Sequence, residues 1–398
     1  MQVFIMRNSL RSLCYSFAAA ALVLILYSCG STSKFPRPEK IATPTSAVEE
    51  KLIREGIELH NQGKFRDAVK NYYQVLKTNP DCAIAMYELG YSYFNIGKLD
   101  SAKKYSLAAM NYKDEYYPMA CDLAGTVLDM SGLPEDAVEV YTMGIEGNPG
   151  YQMLHYNRGV TFFRLRKINE SCRDLQNSIR LNPVHTSSHF HLAVAYTMKY
   201  REVPASLASL TYLILNLSKD EKGSNDVMNR EQTMKNSNMK ELVETALAIN
   251  LQKKAGKSNS GQSQININVT DMDFLMINLS IGLRIGERDK DTSSDAKSIT
   301  VESTKKTLEF ILPLLKPDKV KETFAGNYYS KFYYRLYEEG FTGYLANMLF
   351  FADNPLGWKD YQDSNKETVQ KFRIWLDTYP WDGEVQADPV ENVKFKKK

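Results

Sequence analysis

A spacing of 34 residues organises the first half of this chain. Gly56, Gly90, Gly125, Gly159 and Ala193 recur at steps of 34, 35, 34 and 34, each at the same point of an apolar helical pattern. A second small column follows at Ala68, Ala102, Ala137, Ser171 and Ala205. Glycine inside a helix costs about 1 kcal/mol against alanine, so its return at one register calls for a packing reason. Small residues on facing helices let two backbones approach closely. A period of this length is one helix–turn–helix unit, repeated and stacked.

The punctuation fits that reading. Turns such as Asn61-Gln62-Gly63-Lys64, Asn95-Ile96-Gly97-Lys98 and Ser131-Gly132-Leu133-Pro134 place glycine where a helix C-terminus needs positive φ. Pro80, Pro149 and Pro183 follow Asn79, Asn148 and Asn182 and close three of the units. The units divide as 49–82, 83–117, 118–151, 152–185 and 186–219. One reads Met86-Tyr87-Glu88-Leu89-Gly90-Tyr91-Ser92-Tyr93 and then Ala102; another reads Tyr156-Asn157-Arg158-Gly159-Val160 and closes in Leu181-Asn182-Pro183. These motifs resemble the tetratricopeptide repeat family. Leu52, Met86, Cys121, His155 and His189 stand where that family carries a large aromatic residue.

The resemblance implies an all-α chain, a right-handed solenoid whose first helices line a concave groove that takes a protein or peptide partner. Residues four apart share a helix face. That rule selects Tyr87, Tyr91 and Asn95; Asp122, Thr126 and Met130; Tyr156, Val160 and Arg164; and Phe190, Val194 and Met198. Asn157 alone occupies the column where some relatives carry an Asn ladder, beside Arg54, Glu88, Leu123 and His191. The expected groove residues are therefore Tyr87, Tyr91, Asn95, Asp122, Thr126, Tyr156, Asn157, Arg164 and Phe190. Any of them could instead be core between helices.

The N-terminus reads as a targeting segment. Arg7 and Arg11 precede an apolar run from Tyr15 to Tyr27, short for a membrane span. It ends in Leu26-Tyr27-Ser28-Cys29-Gly30, which resembles a bacterial lipobox. That resemblance implies a signal peptide over 1–28, lipid on Cys29, and an outer-membrane address facing the periplasm. The other reading is a plain signal sequence with a chance cysteine. Residues 29–48 read as a tether, since Gly30 to Ser46 lack periodicity.

Beyond the repeats, the helix around Leu207, Leu210, Tyr212, Leu213, Ile214, Leu215 and Leu217 is apolar nearly all round. A solenoid end needs a polar cap, so the following chain must pack on it. Residues 220–303 read as an insertion, with polar loops at 218–238 and 254–264 and helices at 239–251 and 274–285. Ile265, Ile267 and Val269 alternate too briefly to define a strand. Residues 304–385 form an aromatic-rich helical region with helices near 304–315, 320–337, 343–352 and 365–378, and 386–398 is a basic tail. All 3 tryptophans lie there, with Tyr328, Tyr329, Phe332, Tyr333, Tyr334 and Tyr337. They are either a helical core or a stacking platform for a glycan or a partner peptide, with Trp358 or Trp381 exposed.

Chemistry finds little support. No phosphate loop, dinucleotide fingerprint, HExxH or GxSxG occurs. His185, His189 and His191 do not share one helical face suited to a metal. A net charge of +3 argues against a nucleic-acid partner. No cofactor, metal or catalytic residue is expected. Cys82, Cys121 and Cys172 fall at different points of different units and define no disulfide framework.

Overall fold

The computed structural model describes residues 33–35, 37–218, 230–244, 300–317, 323–381 and 385–388. Among the described residues ten helices come first, as five antiparallel pairs. They are α1 (Ala47–Asn61) with α2 (Phe65–Thr78), α3 (Ala83–Asn95) with α4 (Leu99–Ala109), and α5 (Tyr117–Met130) with α6 (Pro134–Gly147). Then follow α7 (Gln152–Arg164) with α8 (Ile168–Leu181), and α9 (Thr186–Met198) with α10 (Glu202–Leu217). Each pair packs on the next, which makes an all-α solenoid.

The glycine column sits where the two helices of a pair cross. A Cβ on Gly56 or Gly125 would press into the ring of Tyr72 or Tyr141. On Gly90 it would stand 3.1 Å from the Ser106 backbone nitrogen, and on Gly159 3.1 Å from Leu175. Each partner lies 16 residues after its glycine, so all four crossings share one geometry. The facing Ala68, Ala102, Ala137 and Ser171 are fully buried.

The turns between paired helices also repeat. Gly63, Gly97 and Gly132 carry φ of 74°, 79° and 79°. In the last two units Arg166 and Tyr200 hold the same left-handed position at 60° and 57°, where a side chain costs roughly 1–2 kcal/mol. Asn79, Asn148 and Asn182 have φ of −130°, −147° and −141°, as the following prolines require. In place of the missing aromatic column, His155 and His189 bond through Nε2 to the carbonyls of Pro149 (3.0 Å) and Pro183 (2.8 Å).

The segment expected to be a tether is docked from Ser33 onward. Phe35 is buried beside Ala109, Met110, Tyr117 and Met143. Ser33 donates to Glu139 (2.6 Å), and Lys34 and Arg37 pair with Asp136 and Glu146 of α6. The Glu39 and Lys40 amides donate to the Asn111 carbonyl, and Thr43 donates to that of Asp81. The strap thus runs back from the third pair to the first, satisfying its backbone on inter-unit loops. It ends in Ser46 and Glu49, which form a capping box on α1.

At the other end α10 is buried all round. Against it lie α11 (Arg230–Glu244), α14 (Thr342–Phe350) and a π turn (Ala325–Tyr329) that runs into α13 (Ser330–Glu338). Completing this region are α12 (Val301–Ile311), a 3-10 turn (Leu312–Leu315), α15 (Pro355–Ser364) and α16 (Lys366–Thr378). Two expectations are corrected here. Residues 230–238 are helical, because Asn236, Met239 and Val243 form a narrow inward stripe on an otherwise polar helix. Helix α15 was hidden by its own polarity: of its residues only Trp358 is buried. Residues 1–32, the expected helix at 274–285, the alternation at 265–269 and the tail beyond 388 lie outside the described residues, as do Cys29 and the expected apolar run. Among the described residues no helix is long and apolar enough to cross a membrane.

Tyr329 donates to or accepts from His189 at 2.9 Å, and the Tyr333 hydroxyl donates to the Leu207 carbonyl at 2.9 Å. Burial pushes the His189 imidazole down to about 4. A histidine kept neutral in the fold contributes stability that is complete above its unfolded value and is lost as pH falls through its folded one. We therefore expect the nuclear magnetic resonance titration of His189 to stay flat to below pH 5, and the part of the unfolding free energy that His189 contributes, read as the difference from His189→Asn, to fall between about pH 6.5 and 4. Gly125→Ala should cost about 1–3 kcal/mol in urea denaturation, because the buried Tyr141 ring has nowhere to move.

Candidate functional site

The first helices are joined to one another along one face. On α3, Tyr87 and Tyr91 stand one turn apart with rings stacked at 6.2 Å. Tyr91 also stacks on His60 of α1 at 4.6 Å, while His60 bonds to Ser92 at 2.9 Å. Burial lowers the His60 pKa, so its ring is neutral there. In the other direction Tyr87 lies 6.5 Å from the ring of Tyr116, the residue just before α5. From α5 to α7 the link is polar: Asn157 donates to Asp122 at 2.7 Å. Two turns along α5 and one along α7, Asp129 accepts from Thr161 at 2.7 Å and pairs with Arg164. From α7 to α9, Tyr156 meets His185 and His191 edge-on at 4.7 and 5.5 Å.

The expected groove residues therefore divide. Tyr87, Tyr91, Asp122 and Asn157 converge on one face of α3, α5 and α7. Arg164 sits at the far end of α7, half-exposed and held by Asp129. Asn95 is exposed, and its amide turns back to the Tyr91 carbonyl at 2.9 Å. Tyr156 belongs to the next junction along. Thr126 hydrogen-bonds Tyr141 of α6 at 3.2 Å, and Phe190 packs on Tyr212 of α10 at 5.5 Å. Both meet second helices, because four-residue spacing covers a stripe wide enough to include the pair's own packing seam.

The sequence reading omitted several members of this face. Tyr116 and Tyr151 each precede a first helix, 35 residues apart, and Tyr151 lies within electrostatic reach of Tyr91 and Asp122. Their spacing was a usable signal, but they fall one residue outside the helices on which the face was drawn. Glu88 stood in the ladder column without a role. It is half-buried, and its contact is with the Tyr72 hydroxyl at 3.5 Å.

The carboxylates of the array differ in how they are met. Asp174 is fully buried, and burial raises its pKa. Arg158 donates to it through two nitrogens at 2.6 and 2.8 Å and, with His155, holds it below the ordinary value. Glu88 and Asp122 have no such counter-charge. Burial pushes them up to about 7 and about 6. Among the described residues neither forms an ion pair, and no group of three or more candidate metal ligands occurs.

Among the described residues, Trp358 and Trp381 pack into the aromatic core instead of standing open as a platform. Trp358 is buried, and its indole donates to the Leu217 carbonyl at 3.3 Å, closing α10. Trp381 stacks on Phe332 at 4.8 Å and on Tyr328 at 5.7 Å. These rings join the C-terminal helices into one core with the last repeat.

Residues 53–115 match the family described as "Tetratricopeptide repeat". Among curated proteins, the chain is 29% identical over 126 residues to the probable UDP-N-acetylglucosamine–peptide N-acetylglucosaminyltransferase SPINDLY of Hordeum vulgare. That alignment takes in 30% of this chain and only 13% of that protein. Among solved structures, MamA from Desulfovibrio magneticus RS-1 is 16% identical with a TM-score of 0.40, covering 45% of this chain and 100% of that one. A thermophilic repeat protein of Thermus thermophilus is 20% identical with a TM-score of 0.37, covering 44% and 94%. YrrB, described as having an unusual peptide-binding site, is 18% identical with a TM-score of 0.36, covering 43% and 87%. The five helix pairs form a tetratricopeptide-type α-solenoid, and residues 53–115 carry the match to that repeat.

Because the folded-state values of Glu88 and Asp122 are raised, the native state binds more protons than the unfolded chain between about pH 4 and 7. Stability contributed by these groups is therefore highest in acid and falls as pH rises. Glu88→Gln should match the parent at pH 4 and exceed it by about 1–3 kcal/mol at pH 8 in urea unfolding.

Proposed function

We propose that this protein is a membrane-tethered scaffold of the bacterial cell envelope that gathers a protein or peptide partner on the first-helix face of its repeats. One observation carries the reading: a row of half-buried tyrosines, on and just before successive first helices, sits beside carboxylates that the fold leaves without counter-charge. Amphipathic rings of this kind supply contact area at low entropic cost and are enriched at binding surfaces. Tyr91 is 39% exposed, so a partner has ring surface to cover.

Lipid on Cys29 is the proposed anchor, and the outer membrane facing the periplasm the proposed address. Ser33, the first described residue, follows Cys29 by four positions, a span of about 14 Å at full extension. The docked strap would then hold the α6 edge of the array close to the bilayer. Anchoring of this sort raises the effective concentration of a partner at the membrane. The scaffold reading assigns no catalytic step to the chain.

Two experiments test this. Crosslinking in intact envelopes should capture a defined set of proteins with the parent chain and lose most of it with Tyr87→Ala/Tyr91→Ala. An unchanged set would remove the groove assignment. An alkyne fatty acid fed to cells should label the parent chain and not Cys29→Ala; equal labelling would remove the anchor.

A further inference from the structure

We propose that the face built by α3, α5 and the start of α7 receives a basic side chain, a lysine or arginine of an extended partner peptide. It would lie among Tyr87, Tyr91, Tyr116 and Tyr151, with Glu88 and Asp122 as counter-charges. This rests on the groove reading above and gives that groove a ligand chemistry.

The first argument is the contrast among the array's own carboxylates. Asp174 is met by Arg158 at 2.6 Å and Asp129 is paired with Arg164. Glu88 and Asp122 lie on the same stack of helices, yet they meet only the Tyr72 hydroxyl and the Asn157 amide. Partly dehydrated carboxylates without a cation are unfavourable in the free protein, and a bound cation would offset that cost. Glu88 adjoins Tyr87 on α3, and Asp122 holds on α5 the repeat position that Tyr87 holds on α3, 35 residues earlier.

The second argument is the rings. Tyr87 and Tyr91 lie within 11° of parallel, and Tyr87 and Tyr116 within 28°. Aromatic faces carry negative quadrupoles that attract ammonium and guanidinium groups within about 6 Å of the centroid. The rings are offset-stacked at centroid distances of 6.2 and 6.5 Å, which leaves part of each face uncovered by its neighbour. Half-exposed rings and half-buried acids of one sign suit a long apolar stem ending in positive charge. The same charge disfavours an acidic segment or a free C-terminal carboxylate.

The test uses the full chain and blocked seven-residue peptides, Ser-Gly-Leu-Xaa-Leu-Gly-Ser, with Lys, Arg, norleucine or Glu at the centre. Isothermal titration at pH 8 and low salt should give at least tenfold tighter binding for Lys and Arg than for norleucine, and none for Glu. Glu88→Gln/Asp122→Asn should remove that preference while leaving the circular dichroism spectrum and melting cooperativity intact. Tyr91→Leu should weaken the Lys peptide about fivefold. Equal affinity for Lys and norleucine peptides, retention of the preference in the double variant, or no binding of any peptide at 1 mM, overturns the proposal. Loss of charge preference together with retained envelope capture would sink this inference alone. An unchanged capture set in Tyr87→Ala/Tyr91→Ala would sink the groove reading beneath it.

Discussion

The close crossing of paired helices at the small-residue column is the contact on which the rest depends. Where Gly56, Gly90, Gly125 and Gly159 meet their partners, the gap accepts a buried tyrosine ring, a backbone nitrogen or a leucine. Holding the pairs at one distance lets successive units stack in register, and register brings residue 122 opposite residue 157 and residue 129 opposite 161. A first-helix face with shared chemistry exists only because every pair is closed in the same way. Tetratricopeptide-type stacks distribute stability over nearest neighbours, so a fault at one crossing would be felt mainly by the units beside it.

Both ends of the stack are managed by the chain itself. The strap from Ser33 to Ser46 covers apolar surface near Met110 and Tyr117 and supplies the cap of α1. At the other end, α10 is too apolar to face water, and the aromatic helices supply what a polar capping helix would have done. Tyr333 reaches the Leu207 carbonyl and Trp358 reaches that of Leu217, so polar tips on large rings satisfy the α10 backbone. The residues Val385–Asp388 add a further tie: Gln176 and Asp388 bond to each other twice, at 2.9 and 2.6 Å. The aromatic density of the C-terminal region is thus explained by packing. This is why the stacking platform considered from composition gives way to a buried core.

Legibility in the sequence followed periodicity. Helix pairs, turn glycines and the apolar all-round character of α10 could be read because each leaves a repeated or one-sided trace. Helix α15 and the first half of α11 could not, since among the described side chains only Trp358 in one and Asn236 in the other are buried. The strap has no period at all, and its order comes from Phe35 and from loop carbonyls distant in sequence. For the candidate face, helical spacing pointed to Tyr87, Tyr91 and Asp122 and the ladder column to Asn157, whereas Tyr116 and Tyr151 lie just outside the helices. Thr126 and Phe190 share that spacing yet turn to second helices, because helical phase defines a direction without saying which neighbour fills it.

The sequence by itself determined the local grammar: where helices begin and end, which positions must be small, and that α10 requires a cover. These follow from backbone sterics and from water's exclusion of apolar surface, both of which act over a few residues. Tertiary structure alone decided which carboxylates would be matched. Asp174 finds Arg158 and Asp129 finds Arg164, while Glu88 and Asp122 face tyrosines instead. Pairing of these buried carboxylates depends on distances between helices that are neighbours in space and strangers in local sequence.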